Sequence, residues 1–231
     1  MLKLDATTIR NGGFTLAADL TVPERATVAV IGPSGAGKST LLEGIAGFLP
    51  LAEGHMTWHG VDITNQAPGA RPVAMLFQED NLFPHLTLAQ NVGLGLSPNL
   101  RLPPADRSRV TQALDRVGLA DMDARKPGEL SGGQRSRAAL ARVMLQDKPL
   151  LLLDEPFAAL GPALRMEMLD LVAEIARETG ATFLMISHAP EDARRITEQA
   201  ILVADGTAHA PRPTADLLDD PPPVLRDYLG A

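Results

Sequence analysis

Cysteine is absent from this 231-residue chain, which excludes disulfides and thiolate metal sites and fits a reducing compartment. Aromatic residues are scarce. One Trp, one Tyr and six Phe leave the core to aliphatic side chains. No apolar run approaches the roughly 18 residues that a membrane-spanning helix needs, and Met1-Leu2-Lys3-Leu4-Asp5 lacks the apolar stretch of a secretory signal. A basic excess is missing too. With 21 Lys and Arg against 28 Asp and Glu, the formal net charge is -7, the wrong sign for a general nucleic-acid binder, because phosphate backbones call for a basic surface. Internal repeats and low-complexity tracts are also lacking. The length suits one sizeable core, or one domain carrying a sub-domain.

What the chain does have is a phosphate cradle. Gly32-Pro33-Ser34-Gly35-Ala36-Gly37-Lys38-Ser39-Thr40 follows an apolar strand pattern, Thr27 to Ile31, and precedes a helix pattern, Leu41 to Gly47. The glycines let the backbone wrap closely, so consecutive N–H groups and the helix N-terminus aim at one anion. Lys38 supplies a point charge for the β- and γ-phosphates of a nucleotide, and Ser39 a hydroxyl oxygen for Mg²⁺.

Taken in order, residues 2 to 31 read as an antiparallel β layer, with strand runs Phe14–Ala17 and Asp19–Val22 and turns at Asn11-Gly12-Gly13 and Pro23-Glu24. His55-Met56-Thr57-Trp58 and His59-Gly60 read as a strand and its turn. His55 and His59 are two histidines without a third ligand nearby, which favours solvated positions over a metal site. Val73 to Phe77 is a buried-strand run ending on Gln78, and in open parallel sheets that edge is where ligands bind. From Asn81 to about Lys148 the pattern is helical. Thr87 caps a segment to Leu94, and Pro103-Pro104-Ala105-Asp106 opens a helix with Val110, Ala113, Leu114 and Val117 at core spacing. Leu82 and Phe83, at the entry to this region, are either packed inside or offered to a partner.

Leu130-Ser131-Gly132-Gly133-Gln134 precedes a helix over Arg135 to Gln146, with Ser131 as N-cap. The two glycines bare the first N–H groups, a second anion site with no lysine of its own. Leu150 to Leu153 is a strand buried on both faces and ends on Asp154-Glu155. The spacing predicts Mg²⁺ held by Asp154 through its water shell, and water activated by Glu155. Pro162 to Thr179 is an amphipathic helix with Leu164, Met168, Leu169, Val172 and Ile175 inward. Thr182 to Ile186 is another buried strand, ending on Ser187-His188, and His188 is placed to donate to a γ-phosphate or to position the water. Ala200 to Ala204, a turn at Asp205-Gly206 and short terminal helices close the chain.

Together these residues resemble the ATP-binding subunits of ABC transporters, over nearly the whole length. Gly32 to Thr40 is similar to the family's Walker A motif, Gln78 to its Q-loop glutamine, Leu130 to Gln134 to its signature, Leu150 to Glu155 to Walker B with the catalytic glutamate, and His188 to the switch histidine. The resemblance implies an α/β P-loop NTPase (RecA-like) core with an antiparallel β layer over residues 1–80 and 148–231, and a helical signature sub-domain over 81–147. It implies ATP and Mg²⁺ as cofactors. Lys38, Glu155 and His188 would be catalytic, the Walker A residues, Gln78 and Ser131 to Gln134 would hold ATP, and Ser39, Gln78 and Asp154 would hold the metal. It further implies a head-to-tail dimer in which each ATP lies between the Walker A of one copy and the signature of the other. The other partners would be an integral membrane permease and, indirectly, a periplasmic solute-binding protein, with no nucleic acid involved. The location would be peripheral, at the cytoplasmic face of a bacterial inner membrane.

Within the family, Met75 to Phe83, His85-Leu86-Thr87, Gln90 to Leu96, Arg71-Pro72-Val73 and Val203 to Gly206 resemble the ATP-binding subunits of thiamine importers. Importers of iron, sulfate, phosphonate or polyamine use subunits of similar design, and a nucleotide-gated subunit with weak hydrolysis is a further alternative. Two departures stand out. Where relatives place an adenine-stacking aromatic, this chain reads Thr8-Ile9-Arg10-Asn11, leaving Phe14, the Arg10 guanidinium or a loosely held adenine. After Walker B, relatives read Ser-Ala-Leu-Asp and this chain reads Ala158-Ala159-Leu160-Gly161, without the aspartate that helps couple the two sites.

Overall fold

The computed structural model describes residues 1–78, 81–158 and 160–229. Strands β1 (Leu2–Asn11) and β2 (Phe14–Val22) form a hairpin closed by Asn11 opposite Phe14. The two runs expected within β2 are one strand, because Ala18 between them is apolar and buried and keeps the period of two. β3 (Thr27–Ile31) leads through the glycine loop into helix α1 (Lys38–Ala46). β4 (Leu51–Trp58) pairs antiparallel with β1 and turns at His59-Gly60 into β5 (Val61–Asp62). After β6 (Val73–Leu76) the described chain is helical: α2 (Leu88–Gly93), α3 (Pro104–Arg116) and α4 (Gly132–Met144), with short 3₁₀ turns. β7 (Leu150–Asp154), α5 (Pro162–Thr179), β8 (Thr182–Ile186), α6 (Pro190–Ile196) and β9 (Gln199–Ala204) follow. β10 (Thr207–Ala208), β11 (Arg212–Pro213), α7 (Thr214–Asp219) and α8 (Pro223–Leu229) complete the chain.

β6, β7, β8, β3 and β9 lie side by side in that order, all parallel. Their β-branched and leucine runs are buried on both faces, as parallel strands between helices must be. β10 bridges this parallel set to the antiparallel layer β2-β1-β4-β5. The consequence for function is directional. β3, β6, β7 and β8 run the same way, so the glycine loop, Gln78, Asp154-Glu155 and Ser187-His188 all emerge at one sheet edge.

One apolar cluster spans one face of the parallel sheet and the helices, joining Leu76, Leu153 and Met185 to Val110, Leu114 and Val143. A second packs α1 between the parallel sheet and the antiparallel layer. Arg71, 1% exposed, anchors the far end of α1: its Nη1 donates to the Gly44 and Ile45 carbonyls at 2.8 and 2.7 Å, its Nε to Gln66 O and its Nη2 to Thr64 O. A cation on the last carbonyls of a helix opposes the negative end of its dipole. α4 starts three residues earlier than its apolar periodicity suggests. The Ser131 hydroxyl accepts from Gln134 N while the Gln134 side chain accepts from Ser131 N, a reciprocal cap that draws both glycines into the first turn.

Candidate nucleotide site

The loop after β3 is built to face an anion. Gly37, at φ 104°, sets the turn into α1, and Gly35, at φ 76°, has open space where a Cβ would stand. Lys38 is 6% exposed and donates from Nζ to the carbonyls of Gly32 and Pro33 at 2.8 and 2.9 Å. Burial lowers its pKa, while the charges of Glu155 and Asp154 push it back up. The α1 N-terminus carries no acidic residue in its first turn, so its unpaired N–H groups face the cavity without an internal counter-charge.

Asp154 is 6% exposed at the end of β7. Burial raises its pKa. The Ser39 hydroxyl, hydrogen-bonded to it, pulls the other way, Glu155 adds to the rise, and Lys38 and His188 oppose it. One oxygen, Oδ1, is buried with no partner. A carboxylate with an unsatisfied buried oxygen beside a serine hydroxyl is a donor set suited to a hard, partly hydrated divalent cation, so the residues present fit Mg²⁺. Glu155 adopts a left-handed backbone, φ 46°, a conformation that costs about 1–3 kcal/mol and gathers at functional sites. Its carboxylate pairs with His188 Nε2. A cavity of about 480 Å³ is lined by Phe14, Ser34, Gly35, Lys38, Gln78, Glu155 and His188 among others.

The remaining residues of the sequence reading find their places in the fold. Ser131, Gly132, Gly133 and Gln134 do not line this cavity. They cap α4, where Gly133 packs so closely that a Cβ would lie 2.8 Å from Leu164 of α5. Of the adenine-side candidates, Arg10 pairs with Glu53 on β4, whereas the Phe14 ring lies against Gly37 and lines the cavity. Leu82 packs against the core, the first of its two alternatives, and Phe83 is 48% exposed. Phe83 is held by buried Asn91, which accepts from its N–H at 2.7 Å and donates to its carbonyl at 3.1 Å. His59 pairs with Glu24, and His55 is exposed on β4. Gly161 takes φ -65° and ψ 156° at the N-cap of α5, with open space around a Cβ. Neither the backbone nor crowding forces the missing side chain. Glu79, Asp80 and Ala159, within the resemblance, lie outside the described residues.

Three groups carry bonds that the sequence reading did not assign. Asn91 donates to the Phe83, Leu86 and Thr87 carbonyls of the segment just before it, and Arg71 to those of Thr64 and Gln66 and to those of Gly44 and Ile45, which only the fold brings near. The segment carrying His188 is tied down by Ser187, whose hydroxyl donates to Asp192 at 2.6 Å, and Asp192 pairs with Arg165 of α5. A larger cavity, about 820 Å³, lies between α2, α3 and the 100–103 segment, away from the glycine loop.

A family model described as ABC transporter matches residues 16–158. The thiamine import ATP-binding protein ThiQ of Ruegeria sp. (strain TM1040) is 61% identical over 231 residues, all of both chains. The protein of the same name from Cereibacter sphaeroides is 63% identical over 230 residues, again all of both. Among solved structures, a dimer of the ATP-binding cassette MJ0796 in a post-hydrolysis state bound to ADP and Pi superposes with a TM-score of 0.81 at 29% identity, covering 93% of this chain and 99% of that one.

Proposed function

This chain belongs to the ABC transporter family, and on that premise we propose that it is the ATP-hydrolysing subunit of a thiamine importer. The observation that carries the hydrolytic part is the single 480 Å³ cavity that Lys38, Ser39, Gln78, Glu155 and His188 share. Thiamine is the solute for which the full-length relatives are named, and its phosphates share the ring system.

Lys38, released from the loop carbonyls, holds the β- and γ-phosphates against Gly32 to Thr40. Ser39, Gln78 and Asp154 hold Mg²⁺, which when bound neutralises phosphate charge. Glu155 accepts the proton of the attacking water, and His188 donates to the γ-phosphate or steadies that water. Phe14 gives the nucleotide an apolar wall. Ser131 to Gln134 completes the site from a second copy, and the dimeric state of the solved relative supports the pairing of two copies. Residues 81–147 act as a helical sub-domain. Phe83, exposed yet clamped by Asn91, is a rigid apolar contact for a membrane permease that a solute-binding protein feeds. No described helix is long and apolar enough to cross a membrane. A peripheral place on the cytoplasmic face of the inner membrane follows from the importer reading.

Glu155→Gln removes the base and keeps the shape. The variant should bind ATP like the parent, lose at least about 100-fold in turnover and accumulate as an ATP-bound dimer in size-exclusion chromatography. Parent-like hydrolysis would reject Glu155 as the base. Deleting the gene should abolish uptake of labelled thiamine, and unchanged uptake would reject the solute.

A further inference from the structure

The ring of His188 is bonded at both nitrogens. Nε2 meets the Glu155 carboxylate, and Nδ1 lies 3.0 Å from the hydroxyl of Tyr228, forty residues along the chain on α8. We propose that Tyr228 is a positioning residue: its hydroxyl donates to Nδ1, fixing the His188 ring as the Nε2–H tautomer and aiming that proton into the nucleotide cavity. The inference rests on the ATPase reading of the site.

The proton count supports one assignment. Glu155 as a carboxylate only accepts, so its contact favours a neutral His188 with the hydrogen on Nε2, a preference that a donor at Nδ1 completes. Nδ1 is then a bare acceptor. The Tyr228 hydroxyl has one hydrogen, and Nδ1 at 3.0 Å is a nearer acceptor than the His188 carbonyl at 3.5 Å. Burial, and next the charge of Glu155, raise the phenol pKa above its ordinary 10.0, so the group keeps the hydrogen it donates. The Nε2–H form is also the one that can donate to a phosphate oxygen in the cavity.

The placement of α8 makes the contact a fixed one. Leu225 is fully buried in a third apolar cluster with Ile31, Ala193 and Leu218, and Val224 and Tyr228 pack on its margin. Ile31 ends the strand that feeds the glycine loop, and Ala193 follows His188 on α6. A void of only about 10 Å³ separates Tyr228 and Leu225 from Ile31, Ser187 and His188, at the lower limit for a water molecule. Ser187, Asp192 and Arg165 hold the backbone of the segment. They do not touch the ring, whose side chain is 44% exposed and, among the described residues, is held only by Glu155 at Nε2 and Tyr228 at Nδ1, so that loss of Tyr228 removes one of its two anchors.

The test is Tyr228→Phe in the full chain, which keeps the ring and its packing and removes only the hydroxyl. Long-range ¹H–¹⁵N correlation on histidine-labelled protein reads the tautomer directly, with His188 identified among the five histidines by comparison with His188→Ala. The parent should show a single Nε2–H form. The variant should show a mixture with Nδ1–H, and kcat for ATP should fall about fivefold, the worth of one hydrogen bond, with KM unchanged. An unmoved tautomer, or a parent-like kcat with a moved one, overturns the proposal. Failure of the parent to hydrolyse ATP would instead reject the ATPase reading, and the tautomer would still decide what Tyr228 does.

Discussion

Asp154 is held at a cost in the nucleotide-free protein. Its folded-state pKa lies above the ordinary 3.8, so the folded chain binds this proton more tightly than the unfolded one. The group's contribution to stability therefore falls as pH rises from 3.8 through the raised value. Asp154→Asn removes the charge that burial penalises. In the absence of nucleotide its melting temperature should exceed the parent's by about 2–4 °C near pH 7, for a gain of about 1 kcal/mol. The difference should shrink at acidic pH, as the parent's carboxyl takes up its proton on passing down through the raised value. Turnover with Mg²⁺-ATP should be lost. Calorimetric scans at neutral and acidic pH check this, and an equal or lower melting temperature at neutral pH would mean that Ser39 and Lys38 already compensate the charge. Glu155 tells the same story in its backbone, since its left-handed φ of 46° is tolerated where it aims a carboxylate into the cavity.

At the level of elements, α1 is fastened at both ends by different means. Its N-terminus was legible in the sequence, because the glycine loop, Lys38 and Ser39 form one contiguous motif. Its C-terminus was not. Gly47 turns the chain at φ 88°, and Arg71 approaches to within 2.6 Å of where a Gly47 Cβ would be, reaching carbonyls on two segments. No local pattern marks an arginine whose partners are backbone oxygens 26 and 27 residues away. Arg71→Ala leaves those oxygens buried and unpaired and should cost at least about 3 kcal/mol, read as a lower urea midpoint. A loss under about 1 kcal/mol would show that water replaces the guanidinium. α4 is the opposite case. Ser131 was legible as the N-cap, while its reciprocal bonds with Gln134 and the depth of the glycines in the first turn came from the structure.

For the whole molecule, the separation of the two anion-binding stretches matters most. Ser131 to Gln134 does not line the cavity built around Lys38, and on the proposed reading one copy of the chain would hold two half-sites. A chain with Lys38→Ala and a chain with Ser131→Arg should each be inactive alone. In a mixed dimer one composite site is intact, and an equal mixture should recover up to about a quarter of the parent turnover if pairing is random. No recovery, with both variants still dimerising, would refute composite sites that act independently. The sequence by itself determined the chemistry and the order of parts: the phosphate loop, the carboxylates after a four-leucine strand, and the histidine after another. These were legible because each motif is contiguous and its strand is apolar on both faces. Only the tertiary structure decided which parts meet. Parallel strand order brings Lys38, Gln78, Asp154, Glu155 and His188 to one edge and leaves Ser131 elsewhere, while packing of the last helix sets Tyr228 against His188. Those contacts join residues far apart in the chain, and the long-range packing that creates them leaves no local periodicity to read.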